Sequence, residues 1–311
     1  MIDDTLRTRA SYQRRRTVTR SRRLRLRVGS RLHPAGPPVR PVFILGCPRS
    51  GTSLLYALLR RHEGLASPTG EGHLLWNAYQ HPRLKDWSSD RATQEDIKPG
   101  ERDFLYGAIR QIAGGRRFLD KTPKNTLRLP YLAALFPGAR FILLCRDAPA
   151  TVASLIEGWE VRQSPSYRLP VRLNLAEYRG RLWSFVLPPG WQDLVDTTIA
   201  EVAAHQYASC YTTVLDDIER VPASVVPLRF EDLLERPEVE VPRLLDHLEL
   251  PPSTPVLNMA ADLASHPVQS NSPPAPDKWR RRAAEIHAVL PLTEPAARRL
   301  GYRSARPTTV T

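Results

Sequence analysis

Sulfur-containing and aromatic residues are scarce in this chain, which has three cysteines, two methionines and 7% aromatic residues among 311 residues. An odd set of three cysteines is not a disulfide framework, and no Cys/His spacing indicates a zinc site. No apolar run approaches the roughly 18 residues that a membrane-spanning helix needs. The first residues also lack the apolar core of a signal peptide. From these absences we expect a globular protein of the reducing cytoplasm.

Acidic residues are in the minority, and the positive excess is concentrated at one end of the chain. The net charge is +13, and residues 1–31 hold eleven arginines against two aspartates, which accounts for +9 of it. Blocks of like charge are often solvated and disordered. We therefore expect residues 1–38 to be an Arg-rich disordered tail and linker, able to contact an acidic partner. One α/β domain over 39–305 and a C-terminal tail at 306–311 are expected to follow.

The stretch 41–55 carries the most informative pattern. It begins with the apolar run Val42–Leu45, which has the length of a buried strand. Gly46 and Gly51 follow at the spacing of a phosphate-binding loop, and an apolar-periodic run starts at Leu54. A strand, loop and helix in this order point backbone N–H groups at an anion. The predicted anion-binding residues are Pro48, Arg49, Ser50, Gly51, Thr52 and Ser53.

One residue is missing from this loop, and its absence argues against ATP or GTP chemistry. In a loop that binds a nucleoside triphosphate, lysine follows the second glycine and reaches the β- and γ-phosphates beside Mg²⁺. Here Thr52 takes that place, and the cation comes earlier, as Arg49. The sequence therefore disfavours a metal-assisted triphosphate mechanism, and we expect no metal ion.

Strands and helices alternate along the rest of the chain. This alternation predicts an α/β fold, a three-layer P-loop-type parallel sheet flanked by helices. In such sheets, ligands bind beyond the carboxyl ends of the strands. The loop, Lys121 and Arg146 all follow strand ends, so we expect them to converge on one crevice. Further strands are predicted from 117, over 140–145 and over 224–230, and helices over 52–62, 101–113, 127–136, 151–159, 197–220 and 241–248.

Two segments lack a regular pattern. Residues 160–195 are rich in Trp, Tyr, Arg and Pro and show no clean periodicity, which is typical of a lid or substrate-facing insertion. Residues 251–277 are predicted to be a Pro-rich loop.

Several of these pieces, in this order, resemble the sulfotransferases that use 3′-phosphoadenosine-5′-phosphosulfate (PAPS). The loop 46–53 is similar to the 5′-phosphosulfate loop of that family, and Phe141 to Arg146 with Ser154 is similar to its 3′-phosphate site. The resemblance covers about residues 41 to 302. It is closest to tyrosylprotein-type and related bacterial enzymes. The other matching segments are 228–234, Lys278-Trp279 and 300–302, and the branch is indicated by 48–52, Glu71 and 120–123.

The resemblance implies a function and a set of roles. The chain would move the sulfuryl group of PAPS, its co-substrate, to an acceptor hydroxyl or amine by direct in-line transfer. Arg49 and the rest of the loop would hold the 5′-phosphosulfate, whereas Arg146 and Ser154 would hold the 3′-phosphate. Lys121 would stabilise the bridging oxygen as charge develops there.

A general base must take the acceptor proton. The resemblance implies Glu71 in this role, and His73 is the alternative because its unperturbed pKa suits base chemistry. Further expectations concern the surroundings of the site. Thr122 and Lys124 would support it, Ser270 or Ser272 would donate to the 3′-phosphate, Trp279 would pack near the nucleotide, and Glu231 and Asp232 would start a helix.

Two other functions stay open from the residues alone. One is a kinase-like phosphotransferase that uses ATP and Mg²⁺, and the other is a non-catalytic anion- or nucleotide-binding protein. The acceptor and the oligomeric state are open as well.

Overall fold

The computed structural model describes residues 2–3, 26, 28–30, 36–161, 165–263 and 278–302. Most of the Arg-rich segment and the residues after 302 lie outside these ranges. The expected boundaries at 38 and 305 therefore stay predictions. Within the described ranges, no helix has both the length and the apolar character needed to cross a membrane.

Five parallel strands form the central sheet, as the alternating pattern predicts. The strands of the described chain are β1 (Ile2–Asp3), β2 (Val42–Leu45), β3 (Leu65–Ala66), β4 (Arg117–Lys121), β5 (Arg140–Cys145), β6 (Pro165–Asn174), β7 (Tyr178–Ser184) and β8 (Ser224–Arg229). The strands of the central sheet run in the order β3, β4, β2, β5, β8, so the strand that precedes the glycine loop lies in the middle.

Helices cover both faces of this sheet, which confirms the three-layer prediction. Side chains alternate across a strand, and β2 shows the consequence: Phe43 and Leu45 belong to one buried cluster, Val42 and Ile44 to the other. The main helices are α1 (Thr52–Leu59), α2 (His73–Trp76), α3 (Glu101–Ala113), α4 (Leu129–Leu135), α5 (Ala148–Val161), α6 (Ile199–Arg220), α7 (Phe230–Glu235), α8 (Pro237–His247), α9 (Thr254–Ala261) and α10 (Ala283–Arg299). Helices α1, α8 and α9 pack on one face, and α3, α4, α5, α6 and α10 on the other.

Two predictions about irregular segments need correction. The insertion 160–195 contains an antiparallel hairpin, β6 and β7, to which β1 adds a short parallel edge. A register shift between Arg168 and Leu173 interrupts the pairing. The sequence of β6 does alternate, with apolar residues at 167, 169, 171 and 173, but prolines at 165 and 170 argue against a strand. The Pro-rich stretch from 251 contains α9, whose Pro255 lies in the first turn, where the missing N–H of proline is tolerated.

Candidate active site

The loop after β2 has the conformation that its glycines allow. Gly51 has a φ of 98°, and a Cβ there would come within 2.3 Å of the Phe230 ring. Arg49, with a φ of 71°, also lies in the left-handed region. No side chain caps α1 at Gly51, so the N–H groups of the first helical turn point into the loop, where they can bind an anion.

The start of the loop is hydrogen-bonded to the 3₁₀ turn Pro123–Leu127, which follows β4. Thr126 Oγ1 accepts from the N–H of Gly46 over 2.7 Å and donates to the carbonyl of Gly46 over 2.9 Å. Inside the loop, Ser50 Oγ donates to the carbonyl of Cys47 over 2.7 Å. These bonds hold the backbone in place before any ligand binds.

Lys121 and Glu71 meet at the carboxyl end of β4. The Lys121 ammonium donates to Glu71 Oε1 and lies 3.3 Å from Ser53 Oγ. On the other side of the carboxylate, Glu71 Oε2 lies 2.5 Å from His73 Nε2. Burial would raise the pKa of Glu71, but His73 and then Lys121 outweigh it and hold that pKa far below its usual range. The predicted base therefore rests as an ionised carboxylate with a cationic or hydrogen-bonding partner on each oxygen.

Asp120, one residue before Lys121, accepts hydrogen bonds that hold the segment around Glu71 in place. Its carboxylate is buried and accepts from the N–H of Gly72 over 3.0 Å and from Trp76 Nε1 over 2.9 Å. Thr122 Oγ1 and Asn125 Nδ2 donate to it over 3.1 and 3.0 Å. Burial raises the pKa of Asp120, while the bonds from Trp76 and Thr122 oppose that change. This carboxylate therefore accepts two hydrogen bonds on each oxygen and positions the loop that carries Glu71.

Arg49, Ser154 and Arg146 form the second half of the site. Arg49 Nε donates to Ser154 Oγ over 3.0 Å. Arg146 lies 3.5 Å from the carbonyl of Arg49 through Nη1, and its guanidinium carbon lies 4.8 Å from the centroid of the Phe230 ring. Burial lowers the pKa of Arg49, Glu157 opposes this, and Arg146 adds to it. Two arginines held this close favour a shared anion between them.

Arg146 and the neighbouring Asp147 form only a long ion pair. Their closest atoms, Nε and Oδ2, are 3.9 Å apart. The Asp147 carboxylate instead accepts from the N–H of Ala150 over 2.8 Å at the start of α5. The guanidinium of Arg146 is thus free of strong carboxylate contacts among the described residues.

Lys124 occupies an unusual position next to the site. It is buried, donates to the Tyr167 hydroxyl over 2.6 Å, and lies 3.8 Å from the centroid of the Tyr167 ring. Tyr167 in turn donates to Asp90 over 2.5 Å, and Asp90 pairs with Arg128 over 2.9 Å. Burial lowers the pKa of Lys124 to about 8, and Asp90 opposes the change. No carboxylate of the described chain forms an ion pair with this ammonium.

The remaining sequence-predicted residues fall in different places. Thr122 is the N-cap residue of the 3₁₀ turn Pro123–Leu127, and its hydroxyl donates to Asp120. Trp279 packs at the edge of the larger core cluster, with its ring 5.7 Å from that of His287. Ser270 and Ser272 lie outside the described residues. Glu231 accepts from the N–H of Asp147 and from Tyr302, and with Asp232 it stands in the first turn of α7, which confirms a structural role.

Sequence reasoning missed Thr126, Asp90 and Tyr167. Thr126 ties the glycine loop down, and Asp90 and Tyr167 connect the hairpin to the segment after Lys121. None of the three belongs to a motif, and the partners in these contacts are 43 to 80 residues away in the chain. The one signal in the sequence was the run of polar residues directly after β4.

Comparison of the sequence with known proteins identifies the family that it matches. The family model described as "Sulfotransferase family" matches residues 41–254. The nodulation protein NoeE of Sinorhizobium fredii is 29% identical over 68% of this chain and 50% of that protein. Protein-tyrosine sulfotransferase 1 of Danio rerio is 26% identical over 70% of this chain and 55% of that protein. The chain thus spans about half the length of these curated relatives.

Solved structures support the fold. Sulfotransferase STF9 from Mycobacterium avium aligns with a TM-score of 0.56 over 86% of this chain and 78% of that chain, at 16% identity. The sulfotransferase domain from the curacin biosynthetic pathway aligns with a TM-score of 0.51 over 86% of this chain and 99% of that chain, at 18% identity.

Proposed function

The chain belongs to the sulfotransferase family, and from this premise we propose that it transfers the sulfuryl group of PAPS to an acceptor hydroxyl or amine. The observation that carries this proposal is the convergence of three cations at one sheet edge. Lys121 contacts Ser53 of the loop, and Arg146 contacts the backbone of Arg49. Such a cluster suits a nucleotide with phosphate groups on both its 3′ and 5′ carbons.

The loop fits the 5′-phosphosulfate end. The uncapped first turn of α1, the Arg49 side chain and the hydroxyls of Thr52 and Ser53 supply donors around one point. Arg146 and Ser154 supply donors for the 3′-phosphate, a planar guanidinium being suited to bidentate binding. These cations take the part that lysine and Mg²⁺ take in triphosphate chemistry, so the proposal includes no metal ion.

The proposed transfer is a direct displacement at sulfur. The acceptor oxygen or nitrogen attacks sulfur, and the bond from sulfur to the bridging oxygen breaks. Its electron pair stays on the 5′-phosphate of the departing adenosine 3′,5′-bisphosphate. Lys121 stabilises that developing charge when it turns from Glu71 to the bridging oxygen. Glu71, released from one of its two partners, takes the acceptor proton, which then passes to water.

The first experiment tests the nucleotide. Calorimetry with adenosine 3′,5′-bisphosphate is expected to show one site per chain, and the ligand should raise Tm because it binds the folded state. ATP with Mg²⁺ is the matched control for a kinase-like protein. A larger Tm increase with ATP and Mg²⁺ than with the bisphosphate would refute the proposal.

The second experiment tests the reaction. Radiolabelled PAPS is offered with a panel of phenols, sugars, amines and tyrosine-containing peptides, and labelled product is measured. Transfer to some acceptor is expected. Tight binding of the bisphosphate without transfer to any acceptor, and without hydrolysis of PAPS, would favour a non-catalytic nucleotide-binding protein.

We also propose that the Arg-rich segment is accessory and contacts an acidic partner. Deletion of residues 1–38 should leave sulfuryl transfer intact and remove salt-sensitive binding to anionic vesicles or nucleic acid. Loss of transfer on deletion would show that the segment belongs to the catalytic unit.

A further inference from the structure

The two oxygens of the Glu71 carboxylate have different partners. Oε1 pairs with Lys121, whose side chain is 6% exposed, and Oε2 lies 2.5 Å from Nε2 of His73, whose side chain is 37% exposed. One oxygen therefore faces the glycine loop and the other faces α2. A carboxylate held at both oxygens has a single orientation.

The second ring nitrogen of His73 has no partner. Nδ1 is buried, and no hydrogen-bond partner contacts it among the described residues. A proton on Nδ1 would place a buried N–H without an acceptor, which is unfavourable. The neutral tautomer with its proton on Nε2 donates to Glu71 and leaves Nδ1 bare. This tautomer fits the observed contacts best.

We infer that His73 is a positioning residue for Glu71, holding Oε2 through Nε2–H so that Oε1 faces the acceptor once Lys121 leaves it. This inference rests on the proposed function, since it concerns the base of that reaction. A base held in one orientation presents the same oxygen to the acceptor, so loss of the His73 donor should lower turnover and leave nucleotide binding nearly unchanged.

Other charged groups surround this pair, and each has its own partner. From β4 come Lys121 and the buried Asp120, which accepts from four donors. Tyr56 of α1 has its ring centroid 6.0 Å from the Lys121 ammonium, and Lys124 of the following turn donates to Tyr167. Glu71 has His73 and Lys121 as its direct side-chain partners within the described chain. His73 is therefore the side chain left to orient the carboxylate when Lys121 turns away.

The activity test compares substitutions at His73 that keep or remove the donor. Substrates are PAPS and the acceptor found in the screen above. His73→Gln keeps an N–H that can reach Oε2, so it should retain most of kcat at pH 8. His73→Leu removes the donor and should lower kcat by up to about 100-fold, with little change in KM for PAPS. His205→Gln is the matched control, because within the described chain the His205 ring hydrogen-bonds to the carbonyl of Pro189 over 3.0 Å and not to Glu71.

Two results would overturn the inference while leaving sulfuryl transfer established. One is a kcat in His73→Gln as low as that of His73→Leu, and the other is a wild-type kcat in His73→Leu. Failure of the proposed function looks different, because the wild-type protein itself would then transfer nothing.

A spectroscopic test needs no turnover. In protein labelled with ¹⁵N-histidine, long-range ¹⁵N–¹H correlation at pH 8 should show His73 as the neutral tautomer protonated at Nε2, with the signal assigned by its loss in His73→Gln. In Glu71→Ala the signal should change, whereas that of His205 should not. A proton on Nδ1 in the wild-type protein would refute the inference.

Discussion

Arg49 Nε donates to Ser154 Oγ over 3.0 Å although 105 residues separate them in the chain. The bond links the loop after β2 to helix α5, the two segments proposed to hold opposite ends of one nucleotide. The structure therefore keeps the side chains that are proposed to bind phosphate oriented toward one another.

The first prediction concerns Arg146, which is proposed to bind the 3′-phosphate together with Ser154. Arg146→Ala should weaken binding of adenosine 3′,5′-bisphosphate about 10- to 100-fold in calorimetry, because a hydrogen bond to a charged group contributes about 1.5–3 kcal/mol. Arg168→Ala, on the exposed face of the hairpin, is the matched control and should leave affinity unchanged. Equal affinity in the two variants would mean that Arg146 is misassigned.

The second prediction concerns the base. Glu71→Gln should lower kcat about 10²- to 10⁴-fold, the usual contribution of general base catalysis, because the amide cannot take a proton. Binding of the bisphosphate should change far less. The exposed Glu235→Gln serves as the control. Full turnover by Glu71→Gln would require a different base.

The third prediction separates two costs of replacing glycine. Gly51 and Gly70 have nearly the same φ, 98° and 96°, but a Cβ at Gly51 meets the Phe230 ring, whereas at Gly70 nothing lies within 4 Å. Gly70→Ala should lower the free energy of unfolding by about 1–2 kcal/mol through backbone strain alone. Gly51→Ala should lower it further, and it should also weaken nucleotide binding. Urea unfolding measures the free energy of unfolding of both variants, and equal losses would contradict the contact between a Cβ at position 51 and the Phe230 ring.

The fourth prediction concerns Lys124, a buried ammonium without an ion pair. Burial disfavours the charged form of Lys124 by about 3 kcal/mol, the free-energy equivalent of its lowered pKa, so Lys124→Met should raise Tm at pH 7. The pKa of Lys124 is lowered to about 8 in the fold, against about 10.4 for free lysine. Its penalty is therefore complete below pH 8 and disappears between about pH 8 and 10.

Calorimetric scans from pH 7 to 10 should show the advantage of Lys124→Met shrinking as the pH rises. Lys98→Met, at an exposed position, should show no such trend. A lower Tm for Lys124→Met at pH 7 would mean that the lysine stabilises the fold through its bond to Tyr167.

The fifth prediction concerns the thiols. Cys47, Cys145 and Cys210 are all buried, and burial raises the pKa of Cys47 strongly and that of Cys145 to about 11. Because the thiolate is the reactive form, the folded protein should not react with Ellman's reagent at pH 8, and denaturation should release three equivalents. One fast-reacting thiol in the folded state would indicate an exposed, oxidation-sensitive Cys47.

The sequence predicted those parts of the fold that depend on neighbouring residues. The strand Val42–Leu45, the helix Glu101–Ala113 and the strand Arg140–Cys145 follow from short apolar or periodic runs. The hairpin β6–β7 was missed although apolar residues alternate along β6, because Pro165 and Pro170 within the run argue against a strand. Helix α9 was hidden by Pro255, which its first turn tolerates.

What the sequence determined by itself was the family, the parallel sheet and the residues placed at its strand ends, because glycine spacing and apolar runs act over a few residues. Only the tertiary structure decided which of those residues touch. It placed Glu71 between Lys121 and His73, joined Arg49 to Ser154, and buried Lys124 against Tyr167. Except for the pair Glu71 and His73, these contacts join segments far apart in the chain. Burial in the packed core sets the protonation and the partners of these side chains, and no local sequence pattern encodes that burial.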